Sequence, residues 1–90
     1  MSMNRRFNIG PRVAATAVAD EIVILDLASG TYYGLEAVGA RVWGLIGEGK
    51  SSGEICKILL EEYEVEQANL VSDVMRLLDD LSARGLINAE

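Results

Sequence analysis

Hydrophobic residues change their period once along the chain. From Arg12 to Leu35 they recur in twos, as on a strand; from Val38 onward they recur at Val38, Val42, Leu45 and Ile46, as on a helix. The change falls inside Ser29-Gly30-Thr31-Tyr32-Tyr33-Gly34-Leu35-Glu36-Ala37-Val38-Gly39-Ala40-Arg41-Val42-Trp43. Within it Thr31, Tyr33 and Leu35 share one strand face, and Tyr32 and Gly34 the other. Strands upstream and helices downstream predict a small α+β domain with this stretch as its seam.

Three strands are expected before the seam. Arg12 to Val18 alternates weakly and ends in a tight turn at Ala19-Asp20. Glu21 to Leu27 is rich in β-branched residues and is the clearest strand. Ile22 and Ile24 point one way and Val23, Leu25 and Leu27 the other, so a central strand with an element packed on each face is expected. Ala28-Ser29-Gly30 closes the next hairpin, with Gly30 where a left-handed residue is needed. Thr31 to Leu35 is the third strand. The chain then leaves the sheet, so this strand has no sequential partner outside it. Such an edge must be shortened, covered or used.

Three helices follow. Glu36 to Glu48 forms the first and ends at Gly47 and Gly49. Its internal Gly39 and Gly44 cost about 1 kcal/mol each relative to alanine, which close packing would offset. Trp43 on this helix is expected to be buried against the sheet or the third helix. Ser51-x-x-Glu54 is a capping box that starts the second helix, with Ile55, Ile58, Leu59 and Tyr63 on one face. The third runs from about Glu66 to Arg84. At 100° per residue Leu70, Val74, Leu77 and Leu81 fall within about 40° of one another. Val71, Met75, Leu78 and Ser82 widen that stripe on one shoulder by roughly another 100°. Asp73, Arg76, Asp79 and Asp80 take the remainder. The shoulder is more apolar surface than a single core contact needs. Gly85 stops the helix, and Leu86-Ile87 fold back as a terminal anchor. A three-stranded antiparallel sheet followed by three helices predicts a winged-helix-like unit.

Composition narrows the function. Ninety residues, half of them hydrophobic, make one domain with one modest core. Polar residues 1–11, ending near Gly10-Pro11, read as a flexible arm, and residues 12–88 as the domain. The apolar runs are too short to cross a bilayer and no signal segment opens the chain, so a cytoplasmic protein is expected. There is no histidine, and Cys56 is the single cysteine. General-base chemistry, imidazole triads and cysteine metal clusters therefore lose their usual ligands. Cys56 reads as a packing residue, and neither an enzyme nor a bound metal or cofactor is expected. The formal charge is −6, and after Arg12 the chain carries 14 acids against 5 bases. A body that acidic repels phosphate backbones. The alternative of a DNA-binding winged-helix regulator, which the fold class admits, is weakened by Asp73, Asp79 and Asp80 on the third helix.

The stretches Val23-Ile24-Leu25-Asp26, Ser29 to Leu35 and Val38 to Trp43 resemble the PqqD-like family. So does the tail of Tyr63-x-Val65, Asp73-Val74, Leu77-x-x-Leu81 and Gly85-Leu86-Ile87. The resemblance covers about residues 12–87. It implies a three-stranded sheet followed by three helices. It also implies a non-catalytic recognition element that binds the leader segment of a ribosomally made precursor peptide. Such an element presents the leader to a modifying enzyme, such as a radical enzyme or a leader peptidase. By that resemblance the leader adds as a strand at Thr31, Tyr32, Tyr33 and Gly34, and Val71, Met75, Leu78 and Ser82 form the groove wall. The client is left open between the precursor of a redox quinone cofactor, a lasso peptide and a thioether-bridged peptide. At Glu36 related sequences commonly carry Asn, which bears on the local helix cap alone.

Overall fold

In the computed structural model residues 5–90 are described. The element order is β1 (Phe7–Ile9), β2 (Val13–Val18), β3 (Glu21–Asp26), β4 (Thr31–Glu36), α1 (Val38–Gly47), α2 (Ser52–Glu62), α3 (Gln67–Ala83) and β5 (Ile87–Ala89). The three strands of the seam form one antiparallel sheet in the order β2-β3-β4. Register puts Ala15, Ile24 and Tyr33 abreast, and likewise Ala17, Ile22 and Leu35. This row set faces the helices: Ile24 is fully buried, and Ile22, Tyr33 and Leu35 pack against the core.

Short-range chemistry fixes the hairpins. At the first, Ala19 sits at φ 56° between the paired Val18 and Glu21. At the second, one carboxylate holds the loop together. Asp26 accepts from the Ala28 N–H at 3.0 Å and from the Ser29 hydroxyl at 3.0 Å, and its carbonyl accepts from the Gly30 N–H at 2.7 Å. Gly30 is at φ 73°, the left-handed region where a side chain is unfavourable. These bonds set the point at which β4 begins.

Helix α1 is the hub of the molecule. It packs on β1, β3, β4, α2 and α3, and contributes Val42, Trp43, Leu45 and Ile46 to the core. Ile55 and Leu59 of α2 and Leu70, Val74, Leu78 and Leu81 of α3 complete that core. Gly39 and Gly44 differ in role: a Cβ on Gly39 would touch neighbours, while one on Gly44 would meet open space. Close packing therefore accounts for neither glycine as a requirement. No helix of the described residues is long and apolar enough to cross a membrane.

The expected capping box is present. The Ser51 hydroxyl accepts from the Glu54 N–H at 3.2 Å, and the Glu54 carboxylate accepts from the Ser51 N–H at 2.8 Å. Ser51→Ala is expected to cost about 1 kcal/mol, read as a lower Tm. The bonds from Ser51, backbone first, hold the Glu54 carboxyl below the usual glutamate range. Its contribution to stability is therefore complete above that range and lost as pH falls through the lowered folded value. Glu54→Gln should flatten that part of the acid limb of a Tm-against-pH curve; an unchanged limb would show that the carboxylate contributes nothing there.

The structure departs from the sequence reading at two places. Residues 1–11 are predicted to be an arm; residues 1–4 lie outside the described residues, but Phe7–Ile9 are a strand paired antiparallel with β5. Phe7 is in the core, the Ser52 N–H donates to the Arg5 carbonyl at 2.7 Å, and Arg6 bonds the Gly49 carbonyl. Gly10 donates to the Leu86 carbonyl at 2.9 Å. A Cβ there would lie 3.0 Å from the Gly85 oxygen and 3.1 Å from Val13 Cγ2, so any larger residue would press on both neighbours. Leu86-Ile87 does return as an anchor, and the ribbon with β1 is how. The second departure concerns β3. An element was expected on both its faces, yet Val23 and Leu25 stand outside the core cluster and no helix of the described residues covers them.

Candidate functional site

The β2-β3-β4 sheet leaves backbone unpaired along its two edge strands, β2 and β4. β4 is an edge strand of its sheet, and alternate residues of such an edge turn N–H and C=O groups outward. Thr31, Tyr32 and Gly34 are exposed and Tyr33 is half-buried. No atom lies within 4 Å of a Cβ placed on Gly34, so another backbone can approach there without displacing protein.

A cleft of ≈ 410 Å³ lies between the start of α1 and the first half of α3. Val38, Gly39 and Val42 line one side; Leu70, Asp73, Val74 and Leu77 line the other. Val65, 46% exposed, and Glu66 stand at its mouth. A Cβ on Gly39 would lie 3.5 Å from Leu35 Cδ2 and 3.9 Å from Leu77 Cδ2. The end of β4, the start of α1 and the middle of α3 thus meet at one corner. At the other end of β4 the Arg84 guanidinium covers the Tyr33 ring at 5.0 Å and bonds Asp80 at 3.1 Å. The Tyr33 side chain, and then the Asp80 carboxylate, raise the Arg84 pKa. Among the described residues no three His, Cys, Asp or Glu side chains converge as metal ligands.

The strand residues of the expected site, Thr31 to Gly34, stand together on β4, while none of the four expected helix residues lines this cleft. Val71 lines a separate depression with Gly53, Cys56, Lys57 and Leu60 of α2. Met75 is partly buried against the core, and Leu78 is 0% exposed. The Ser82 hydroxyl is buried with no hydrogen-bond partner. That shoulder is apolar because α2 packs on it. Toward β4 the helix presents Leu77, at the corner with Gly39 and Leu35, and Arg84, over the Tyr33 ring. Leu77 was placed in the core stripe by its spacing, and Asp73 on the polar remainder; both line the cleft. Periodicity measures the width of an apolar stripe and not which of its flanks meets the sheet.

Between edge and cleft the backbone is strained. Ala37 has φ 51° and ψ −121°, and makes no side-chain cap to α1. A non-glycine residue in such a conformation costs about 1–3 kcal/mol. The strain explains why α1 begins at Val38 rather than at Glu36: the chain must turn sharply to carry α1 under the sheet. Ala37→Gly is expected to stabilise the fold by about 1 kcal/mol after the added backbone freedom of glycine is subtracted. A melt showing the variant less stable than the parent would mean the strain is relieved elsewhere.

Fold and site together define a small α+β module with an open sheet edge at β4 and an apolar cleft between α1 and α3. The family model described as Coenzyme PQQ synthesis protein D (PqqD) matches residues 21–87. The chain belongs to the PqqD family. Two solved structures are similar to it across nearly their whole length. One, TbiB1 in complex with the TbiA(beta) leader peptide, is 37% identical with a TM-score of 0.86, covering 90% of this chain and 94% of that one. The other, lasso peptide synthetase B1 complexed with the leader peptide, is 26% identical with a TM-score of 0.85, covering 92% and 98%. No curated protein matches the chain.

Proposed function

We propose that this protein is a non-catalytic module that binds the leader segment of a ribosomally made precursor peptide and presents it to a modifying enzyme in the cytoplasm. The leader docks as a further strand on β4. The observation that carries the reading is the open β4 edge joined, at the corner where Gly39 meets Leu35 and Leu77, to the cleft of Val38, Val42, Leu70, Val74 and Leu77. Strand addition draws affinity from main-chain hydrogen bonds and specificity from pockets for alternate side chains. In a strand placed here one set of side chains turns toward the cleft and the other outward. The apolar cleft favours Leu-, Ile- or aromatic-sized side chains, and Glu66 and Asp73 at its rim favour a basic neighbour. Two similar structures are leader-peptide complexes, one of them of a lasso peptide synthetase, which supports a peptide of that class as client.

The test is a titration of the isotope-labelled chain with a synthetic leader peptide of a lasso-type precursor, followed by backbone amide shifts. Perturbations should gather on Thr31 to Gly39 and on α3 from Asn69 to Arg84. A proline in the middle of the bound segment should weaken binding, since it removes a ladder donor. Shifts confined to α2 or to β1 would overturn the assignment.

A further inference from the structure

The β2 edge of the sheet is open like the β4 edge but differently made. Six consecutive residues, Val13–Val18, pair with β3 without a bulge. None of them is charged and none is proline, so the devices that ordinarily keep a strand edge from pairing are missing. The bond from the Leu27 N–H to the Arg12 carbonyl, at 2.8 Å, fixes which backbone groups are free. Bonded pairs alternate along an antiparallel ladder. Arg12, Ala14, Thr16 and Val18 therefore turn their N–H and C=O groups to β3, and Val13, Ala15 and Ala17 turn theirs outward. Ala15 and Ala17 stand abreast of Ile24 and Ile22 on the helix side of the sheet, yet both are exposed. The β2 strand thus overhangs the helix layer.

We propose that this edge docks a second copy of the chain, β2 against β2, about a two-fold axis through Ala15. The two sheets then join as one, in the order β4-β3-β2-β2-β3-β4. Three features select this occupant. The first is register. Only a pairing that sets outward groups opposite outward groups closes the ladder, and centring it on Ala15 engages Val13, Ala15 and Ala17 together. Ala15 then faces Ala15 of the second copy, and Val13 faces Ala17, the self-complementary arrangement of a two-fold dimer. The second is side-chain size. Ala14, Ala15, Thr16 and Ala17 form no pocket, and a foreign strand draws its specificity from pockets. The third is charge. The same register sets Arg12 of one copy opposite Val18 of the other, one diagonal step from Asp20. No salt bridge among the described residues uses either Arg12 or Asp20, and the pairing brings one of each together at both ends of the seam. Val13 of the second copy comes to the mouth of a depression lined by Ala17, Ile22, Ala37, Ala40 and Tyr63. An edge of six residues is about 20 Å long and about 10 Å deep, or roughly 200 Å² per copy. A lasting complex buries about 800 Å² per partner, so this dimer forms and parts with concentration. Both β4 edges stay at the outer ends of the joined sheet, and the inference does not depend on what they bind.

The experiment is analytical ultracentrifugation of the full chain from about 5 μM to about 500 μM, the range in which so small an interface associates. The parent is compared with Ala15→Glu, Ala15→Lys, and an equal mixture of the two. Ala15 is exposed, so both variants should fold, and a thermal melt of each verifies this. The mass of the parent should rise from one chain toward two across the range. Each variant alone should associate about tenfold or more weakly, because like charges then face each other across the axis. The mixture should associate at least as well as the parent, since Ala15 meets its own counterpart and the opposite charges pair. A parent that stays a single chain at every concentration would overturn the proposal. So would a parent dimer that neither variant weakens, or variants that stay apart when mixed. Amide shifts on β2 upon adding a synthetic lasso-type leader peptide, with loss of the dimer, would give this edge to the peptide instead and overturn it equally. A parent that dimerises as expected but binds no leader would count against the peptide-binding reading alone.

Discussion

Trp43→Ala is expected to remove most of the stability of this protein. The indole is 4% exposed on the helix that touches β1, β3, β4, α2 and α3. Large-to-small changes at such sites cost about 3–5 kcal/mol, because transfer energy and a residual cavity add. For a domain of this size each kcal/mol moves Tm by roughly 4–8 °C, so a fall of at least about 12 °C is expected by circular dichroism. The spacing of α1 places Trp43 about 100° from Val42, which makes its burial a property of a helix surrounded on several sides. A variant melting within a few degrees of the parent would show that the cavity collapses without consequence.

The largest effect on binding is expected at Leu77. Leu77→Asp puts a carboxylate on the apolar wall of the cleft, where the docked leader would strip it of water. An unpaired polar group so placed costs about 2 kcal/mol or more, which is roughly thirtyfold in Kd. Leu77 is only partly buried, so the variant should fold. Val71→Asp is the informative comparison. It faces α2 and should lower Tm while leaving the leader affinity of the folded protein nearly unchanged. Fluorescence polarisation of a labelled leader measures both. A greater loss of affinity in Val71→Asp than in Leu77→Asp would return the groove to the α2 flank.

Much of the architecture is legible because its determinants are local. The hairpin at Ser29-Gly30, the box at Ser51 and Glu54 and the stop at Gly85 are each decided within a few residues. The edge character of β4 is legible too, since the chain turns helical after it and supplies no further strand. Which flank of α3 meets that edge depends on where α2 lies, and no spacing within α3 encodes it. The strand Phe7-Asn8-Ile9 was missed for a related reason. Three residues carry too little pattern to outweigh the polar stretch around them, and the partner lies at the far end of the chain.

That ribbon also bears on the order in which the protein assembles. The β2, β3 and β4 strands are joined by hairpins whose partners are neighbours in sequence, and such loops close quickly. Pairing Phe7 with Ala89 joins positions separated by almost the entire chain. The entropy of closing a loop grows with its length, and non-local contacts reward it only once they form. The meander and the helices therefore come together first, and β1 locks down late, seating Phe7 in a core that the other elements have already gathered. In the reverse direction β1 is expected to be the first strand to fray, which hydrogen exchange of the Phe7 to Ile9 amides would test.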